Sequence, residues 1–396
     1  MDAIVLQCGG PTAVINASLW GVIEGCRQWP QINRLWGARH GLRGLIKGDW
    51  TNLTTYVNRE PGLEFQPGAA LGSSRDWLGD EDVPELLEQL ENKGIDLVFI
   101  IGGNGSMQAA YKLHRFAGQR PHRVRGLTLQ VIGIPKTIDN DLVGTDFAPG
   151  YGSAASYVAR TTRDVGLDLI TMQGFDDVAV LEIMGRHAGW LTAAAALARS
   201  EGTANNPPHL ILLPEVPFTE ANFLQAVRQN HAQNGVCLVV AAEGVRDQAG
   251  VFLAEKQKPL AKDASGQKLL SFAAGLTPYL AGLVQQKLGL RCRQLRPDTI
   301  QRSSSALASR VDRECAARVG RAAVEAAREG LSGVMIGLDR QPEGWQCGPV
   351  ALEAVTGQEK PLPAAFISGE FDVSADFAAY ARPLIDDWQP ETAVLF

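Results

Sequence analysis

The sequence predicts an α/β protein built on mostly parallel β-sheet, and three observations predict it. Short runs of Val, Ile and Leu recur at residues 3–8, 97–101, 129–134, 178–183, 210–213 and 236–242. They are predominantly apolar rather than alternating, which is how strands buried on both faces read. Helix-like segments separate them, at 16–28, 83–92, 106–116, 153–170 and 220–233, and such alternation implies right-handed crossovers onto a parallel sheet. Several runs also stop at Gly or Pro, where a chain leaving a strand turns sharply. A last long helix is expected over 304–328, which is rich in alanine and strongly helix-favouring.

The bulk numbers narrow the class. A chain of 396 residues is long enough for two or three domains. Its 45% hydrophobic and 20% charged content is globular. The net charge of −6 excludes a general nucleic-acid binder, so a polyanionic substrate must be held by local basic groups. Six single cysteines, with no C-x-x-C pair, fit reduced thiols rather than a disulfide framework or zinc site. The first residues lack the basic start and long apolar run of a signal peptide. No uncharged stretch approaches the roughly 18 apolar residues of a membrane span. A cytoplasmic protein with no membrane partner is the expectation. The Gly/Pro-rich stretch at 147–152 marks a domain junction, and the basic residues at 293–302 suggest that the chain crosses back.

The turns after three of the strands carry the chemistry. The first strand runs into Gly9-Gly10-Pro11-Thr12 and then a helix. Glycines let backbone approach an anion, and a helix N-terminus offers unpaired N–H donors. An ordinary tight turn explains the same residues. The strand 97–101 ends in Gly102-Gly103-Asn104-Gly105-Ser106, a second glycine turn opening a helix. Ligands of parallel sheets collect outside strand carboxyl ends, so the pair suits a polyphosphate. The third strand ends in Gly133-Ile134-Pro135-Lys136-Thr137-Ile138-Asp139-Asn140-Asp141. Two carboxylates beside a lysine and a threonine fit phosphoryl transfer: one takes a hydroxyl proton, one supports magnesium, and the lysine neutralises phosphate charge. A capped Asx-rich turn is the competing reading.

Pro135-Lys136-Thr137-Ile138-Asp139-Asn140-Asp141 resembles the signature of the phosphofructokinase family, which is highly specific. The resemblance continues through Pro149-Gly150-Tyr151-Gly152-Ser153, Glu182-Ile183-Met184-Gly185-Arg186-His187-Ala188-Gly189-Trp190, Leu213-Pro214-Glu215, Ala242-Glu243-Gly244 and Ile300-Gln301-Arg302. With Gly9-Gly10 and Leu71-Gly72-Ser73-Ser74-Arg75 it spans nearly the whole chain. It is nearest the bacterial branch described as pyrophosphate-dependent.

The resemblance implies two Rossmann-like domains with mostly parallel sheets and the active site in the cleft between them. Residues 1–145 would bind the donor phosphates and take back part of 245–305, and residues 146–396 would bind the sugar phosphate. The implied reaction is phosphoryl transfer to the 1-hydroxyl of fructose 6-phosphate, a glycolytic step, with Mg2+ as cofactor. Asp139 would be the base, Thr137 would bond the moving phosphoryl group, and Asp141 would support it. Lys136 and Arg186 would balance charge during transfer. Met184, Gly185, Arg186, Glu243, Arg293 and Arg302 would hold the sugar phosphate. Gly9, Gly10, Arg75, Gly103, Asn104, Gly105 and Ser106 would meet the donor, and Asn104 would take the metal. A homodimer or homotetramer is implied, because relatives complete their sites across a subunit interface.

Three departures bear on the substrate. The magnesium-binding aspartate of many relatives is Asn104, the histidine or tyrosine before Ile300-Gln301-Arg302 is Thr299, and a subunit-crossing arginine is Asp177. The donor signals divide. Lys136 stands where pyrophosphate users carry lysine, whereas Gly105 stands where they carry an aspartate that blocks the α-phosphate of ATP. Glycine removes that bulk and charge, and Ala109 leaves room for adenine, so the residues lean to ATP, with diphosphate the alternative. A catalytically idle sugar-phosphate sensor is the other class, opposed by the intact Thr137, Asp139, Asp141, Arg186 and Arg302. A nicotinamide oxidoreductase is disfavoured because G-x-G-x-x-G does not follow the first strand.

Overall fold

The computed structural model describes residues 1–57, 62–119, 123–124, 127–200, 206–256, 270 and 275–390. In chain order its strands are β1 Asp2–Gln7, β2 Arg34–Ala38, β3 Trp50–Asn52, β4 Ile95–Gly102, β5 Arg123–Val124, β6 Leu127–Thr128, β7 Gln130–Pro135, β8 Val178–Ile183, β9 Leu210–Leu212, β10 Cys237–Ala242, β11 Cys292–Leu295, β12 Val334–Gln341, β13 Gly344–Ala351, β14 Ile367–Ser368 and β15 Asp372–Val373. The chain forms two compact units, one of Met1–Ser153 with Arg302–Lys360 and one of Ala154–Gln301 with Pro361–Phe396.

The first unit holds a seven-stranded sheet in the order β13-β12-β7-β4-β1-β2-β3. Its centre is parallel: β4 pairs β1 and β7, and β12 pairs β7. Antiparallel strands close the two edges, β3 on β2 and β13 on β12. Ile4, Leu6, Val98, Ile100 and Val131 form one core with Leu86, Leu90 and Leu113 from the covering helices. Fully burying an aliphatic side chain of this size contributes about 1.5–3 kcal/mol. These are the apolar runs that the sequence marks as strands.

The second unit holds a four-stranded parallel sheet in the order β11-β8-β10-β9. Val178, Val180, Val239 and Ala241 pack with Phe223, Val227 and Leu280 from the helices Glu220–Asn234 and Thr277–Leu288. An α/β fold with two mostly parallel sheets is therefore present, as the sequence predicts.

Two boundaries differ from expectation. The long C-terminal helix runs Arg310–Arg328, six residues shorter at its start than 304–328. Ser303-Ser304-Ser305 precedes it, and serines favour turns and caps over helix interiors. Ser309 is the cap, its hydroxyl accepting the Asp312 N–H at 3.2 Å. The stretch that returns to the first unit is 302–360, whereas the sequence suggests 245–305. Within that expected stretch, 257–269 and 271–274 lie outside the described residues. The returning stretch is fixed by β12, which joins the parallel sheet beside β7.

No helix among the described residues is long and apolar enough to cross a membrane. All six cysteines are free thiols.

Candidate active site

In the first unit, three adjacent parallel strands, β1, β4 and β7, end together and bring the three sequence-marked turns side by side. Cys8 N–H donates to Ile101 O at 2.8 Å, and Lys136 N–H to Gly102 O at 2.9 Å. Gly9 takes φ +77, a conformation that favours glycine. Its N–H is already given to Ser74 O at 2.9 Å, and its carbonyl accepts Ser73 Oγ at 2.6 Å. Gly9 therefore supplies space rather than a donor, since a Cβ there would lie 3.1 Å from Lys136 Nζ.

Three cations surround this turn. Lys136 Nζ donates to Gly10 O at 2.8 Å. A Cβ on Gly10 would lie 2.7 Å from Arg302 Nη1 and 3.7 Å from Arg75 Nη2. Arg302 reaches the turn because the chain re-enters the first unit there. The Lys136 side chain is only 3% exposed. Burial lowers its pKa to about 8; Arg302 and Arg75 push the same way, and Asp139 opposes them. A buried lysine flanked by two guanidiniums is a site short of negative charge.

The turn after β7 carries the carboxylates. Thr137 N–H donates to Pro149 O at 3.2 Å, and the Asp139 N–H to Thr137 Oγ1 at 3.1 Å. Asn140, at φ +54, is buried and uses Oδ1 to accept Ala148 N–H at 3.0 Å. The turn is thus held from within, which leaves the Asp139 side chain half-buried beside Lys136. Asp141 is joined to the second glycine turn, where Asn104 Nδ2 donates to its Oδ2 at 2.8 Å. Burial raises the Asp141 pKa, and the charge of Glu359 adds to that.

The other oxygens of that pair, Asn104 Oδ1 and Asp141 Oδ1, are buried and lack a hydrogen-bond partner. Such orphaned oxygens fit a hard divalent cation. One carboxylate and one amide are a small donor set, as magnesium takes when phosphates and water supply the rest. No group of three or more His, Cys, Asp or Glu side chains suited to a metal occurs among the described residues. Ser106 is buried, its N–H bonded to Gly103 O at 2.9 Å. A Cβ on Gly103 would stand 3.4 Å from Lys136 O, whereas a Cβ on Gly105 meets nothing within 4 Å.

The second unit gathers the other group of predicted residues at the carboxyl ends of β8 and β10. Met184 N–H donates to Gln301 Oε1 at 3.0 Å, and Gly185 N–H to Glu243 Oε1 at 3.5 Å. Gly185 adopts φ +138. Gly244 has no room for a side chain, because a Cβ would fall 2.0 Å from Arg186 O. Burial pushes Glu243 up to about 7, helped by Glu182 and countered by Gly185 N–H, Arg186 and Arg296. A carboxyl near neutrality can both donate to and accept from a sugar hydroxyl.

Arg293 does not join this group within the chain. It lies opposite Ala179, four residues before the end of β8 at Ile183, about 13 Å along the strand. Its Nε contacts Asp176 Oδ2 at 2.5 Å. Asp177 pairs with Arg291 at 2.8 Å, and that guanidinium holds the carboxyl down at about 2.

The chain matches the profile described as Phosphofructokinase over residues 2–327. It belongs to the phosphofructokinase family. It is 38% identical to a pyrophosphate--fructose 6-phosphate 1-phosphotransferase of Xanthomonas campestris, across 98% of this chain and 92% of that protein. It is 35% identical to the protein of the same name from Halomonas elongata, across 98% and 93%. The crystal structure of a pyrophosphate-dependent phosphofructokinase from Marinobacter aquaeolei superimposes with a TM-score of 0.85 at 35% identity, covering 100% of this chain and 93% of the other. This phosphofructokinase is thus a phosphotransferase.

Two functional candidates escape the sequence reading of this phosphofructokinase. Arg296 and Glu182 face each other at the ends of β11 and β8, 3.2 Å apart. The only sequence signal for Arg296 is its place among the basic residues at 293–302. Asp312 is wholly buried and accepts the backbone N–H of Gly150, beside the Thr137–Asp139 turn. Nothing in a long alanine-rich helix marks it in advance.

Proposed function

We propose that the chain transfers a phosphoryl group from inorganic diphosphate to the 1-hydroxyl of fructose 6-phosphate, giving fructose 1,6-bisphosphate and phosphate. The observation that carries the reading is Lys136, buried at the Gly9–Gly10 turn beside Arg302 and Arg75. Diphosphate has no nucleoside through which to gain affinity, so its binding rests on protein cations. Fixed cations also stabilise the spread charge of a loose phosphoryl-transfer transition state. The names of the relatives support the same donor. The lean to ATP rests on Gly105 and the open space beside it. That space permits a nucleotide but supplies no affinity for one.

In this reading Asp139 takes the proton of the 1-hydroxyl, whose oxygen bonds the nearer phosphorus as the bridging P–O bond breaks. The departing phosphate keeps the electron pair beside Lys136 and Arg75. Thr137 bonds the phosphoryl group in transit, Arg186 offsets its charge, and Glu243 holds a sugar hydroxyl, with Met184 and Gly185 shaping that pocket. Arg302 stands with Lys136 and Arg75 at the Gly9–Gly10 turn, and Arg293, paired with Asp176 away from this pocket, would serve the 6-phosphate only of a neighbouring subunit. Asn104 and Asp141 would hold Mg2+, which when bound neutralises donor phosphate charge. The sensor reading gives no use for a base beside a buried lysine.

The deciding measurement is kcat/KM for magnesium diphosphate and for MgATP with fructose 6-phosphate. A ratio of about ten or more in favour of diphosphate is expected; equal or better use of ATP overturns the donor. A homo-oligomer is also proposed. Phe175, 61% exposed beside Arg291, is a large apolar surface group of the kind that interfaces cover. Light scattering should give two or four times 42.5 kDa, and an active monomer would oppose this.

A further inference from the structure

Gln7 ends β1, and its side chain is completely buried, at 0% exposure. It meets a stretch of chain without regular structure, since there is neither helix nor strand between Phe65 and Val83. That stretch nevertheless carries Arg75 to the Gly9–Gly10 turn, where a Cβ on Gly10 would lie 3.7 Å from Arg75 Nη2. With no ladder of its own, it must find other partners for its buried backbone groups.

Two buried amides supply them. Gln7 Oε1 accepts Leu71 N–H at 3.0 Å, while its Nε2 donates to Asn16 Oδ1 at 3.0 Å and to Ile15 O at 3.4 Å. Asn16 is 1% exposed on the helix Ile15–Arg27. Its Oδ1 also accepts Ala70 N–H at 2.9 Å, and its Nδ2 donates to Gln66 O at 3.0 Å. Leu71 is fixed at its carbonyl as well, which accepts His40 N–H at 2.8 Å. The chain then turns at Gly72, at φ +73, and Ser73 and Ser74 bond Gly9. Arg75 is the next residue. A side-chain amide accepts from Leu71 and donates to Asn16 at once, which neither a carboxylate nor an apolar side chain of this length does.

We propose that Gln7 is a positioning residue for the phosphoryl donor. Its amide fixes the 70–75 stretch against β1 and so sets Arg75 toward the donor phosphates. The proposal rests on the reading of Arg75 and the Gly9–Gly10 turn as the donor site. A guanidinium grips a phosphate through two parallel N–H bonds, a geometry that is lost when the root of the side chain moves.

The test is calorimetric binding of magnesium diphosphate to the full chain, with fructose 6-phosphate as the control. Gln7→Met keeps the length and removes both hydrogen bonds. It should raise Kd for diphosphate by about tenfold or more, in the range of a lost charged hydrogen bond, and leave fructose 6-phosphate binding as in the wild type. Made in an Arg75→Met background, the same change should cost less than about twofold, because the amide acts through that guanidinium. Gln7→Glu keeps an acceptor for Leu71 N–H and should lose about threefold; it carries the same comparisons if the Met variant does not fold. Three results overturn the proposal: diphosphate binding like the wild type, a parallel fall in fructose 6-phosphate affinity, or an equal loss with and without Arg75. If the wild type binds MgATP but not magnesium diphosphate, the diphosphate reading fails, and the same cycle with MgATP decides the role of Gln7. A wild type that binds neither donor overturns both.

Discussion

Asp312 accepts the backbone N–H of Gly150 at 2.9 Å through one carboxylate oxygen, across 162 positions of sequence. Its other oxygen accepts Ser153 N–H at 2.8 Å. Gly150 in turn bridges Thr137, and a Cβ on Gly150 would come 3.1 Å from Thr137 O. Asp312 therefore positions the Thr137–Asp139 turn without touching any reacting atom. Asn in its place accepts one N–H and sets an amide donor against the other. The expected loss is about 1–3 kcal/mol of stability for the unsatisfied buried group, read as a lower urea midpoint.

The same carboxyl makes a pH prediction. Burial raises its folded pKa to about 6 from the ordinary 3.8. Between those values the folded chain holds a proton that the unfolded chain has released, so this contribution to stability falls as pH rises. The stability of the wild type relative to Asp312→Asn should drop between about pH 4 and pH 6 and level off above. A difference that rises over this window would refute the assignment.

Asp139→Asn should lower kcat by about 10²–10⁴, the usual loss with general-base catalysis, while calorimetric affinity for fructose 6-phosphate stays unchanged. The amide keeps the shape and cannot take the hydroxyl proton. Near wild-type turnover removes Asp139 from that role.

Lys136 should give diphosphate binding a pH limit. With its folded pKa lowered to about 8, chiefly by burial, the ammonium is lost as pH rises through that value, and KM for diphosphate should climb. Lys136→Met should raise KM at pH 7 and abolish the climb. A KM for diphosphate that is flat from pH 7 to pH 9 in the wild type would show that this charge does not hold the donor.

Gly105→Asp should suppress ATP use far more than diphosphate use. The site has open space for the new side chain, so the protein should fold. Two like charges about 4 Å apart at an effective dielectric of about 20 repel by about 4 kcal/mol. An equal loss with both donors would place residue 105 away from any nucleotide.

The central strands and the Lys136–Asp141 turn were legible because each depends on local pattern. β1, β4, β7 and β8 are predominantly apolar runs, and Lys136 to Asp141 is one short segment. β11 and β13 were not legible. Both are edge strands with half-exposed, mixed residues, Cys-Arg-Gln-Leu in β11, so neither carries an apolar run or a clean alternation. Asp312 and Arg296 escaped for a different reason. Each matters through a partner far away in sequence, Gly150 for one and Glu182 for the other, and a single sequence does not display such pairings. The names of the relatives favour diphosphate over the ATP lean, and the difference is one of weighting. Gly105 reads as permission for a nucleotide, but Lys136 meets two arginines that only the fold brings to it.

The first unit draws its sheet from both sides of the second, and this matters for a chain made from one end. When residue 153 leaves the ribosome, β7 has β4 on one side and nothing on the other, because β12 ends only at Gln341. About 190 residues must still be translated, roughly 10–40 s at about 5–20 residues per second. Throughout that interval a largely apolar strand presents an unpaired edge, the usual template for wrong pairing between nascent chains. Slow synthesis or crowded polysomes should therefore lower the soluble yield of this protein. Supplying 302–360 as a separate peptide during translation should raise it.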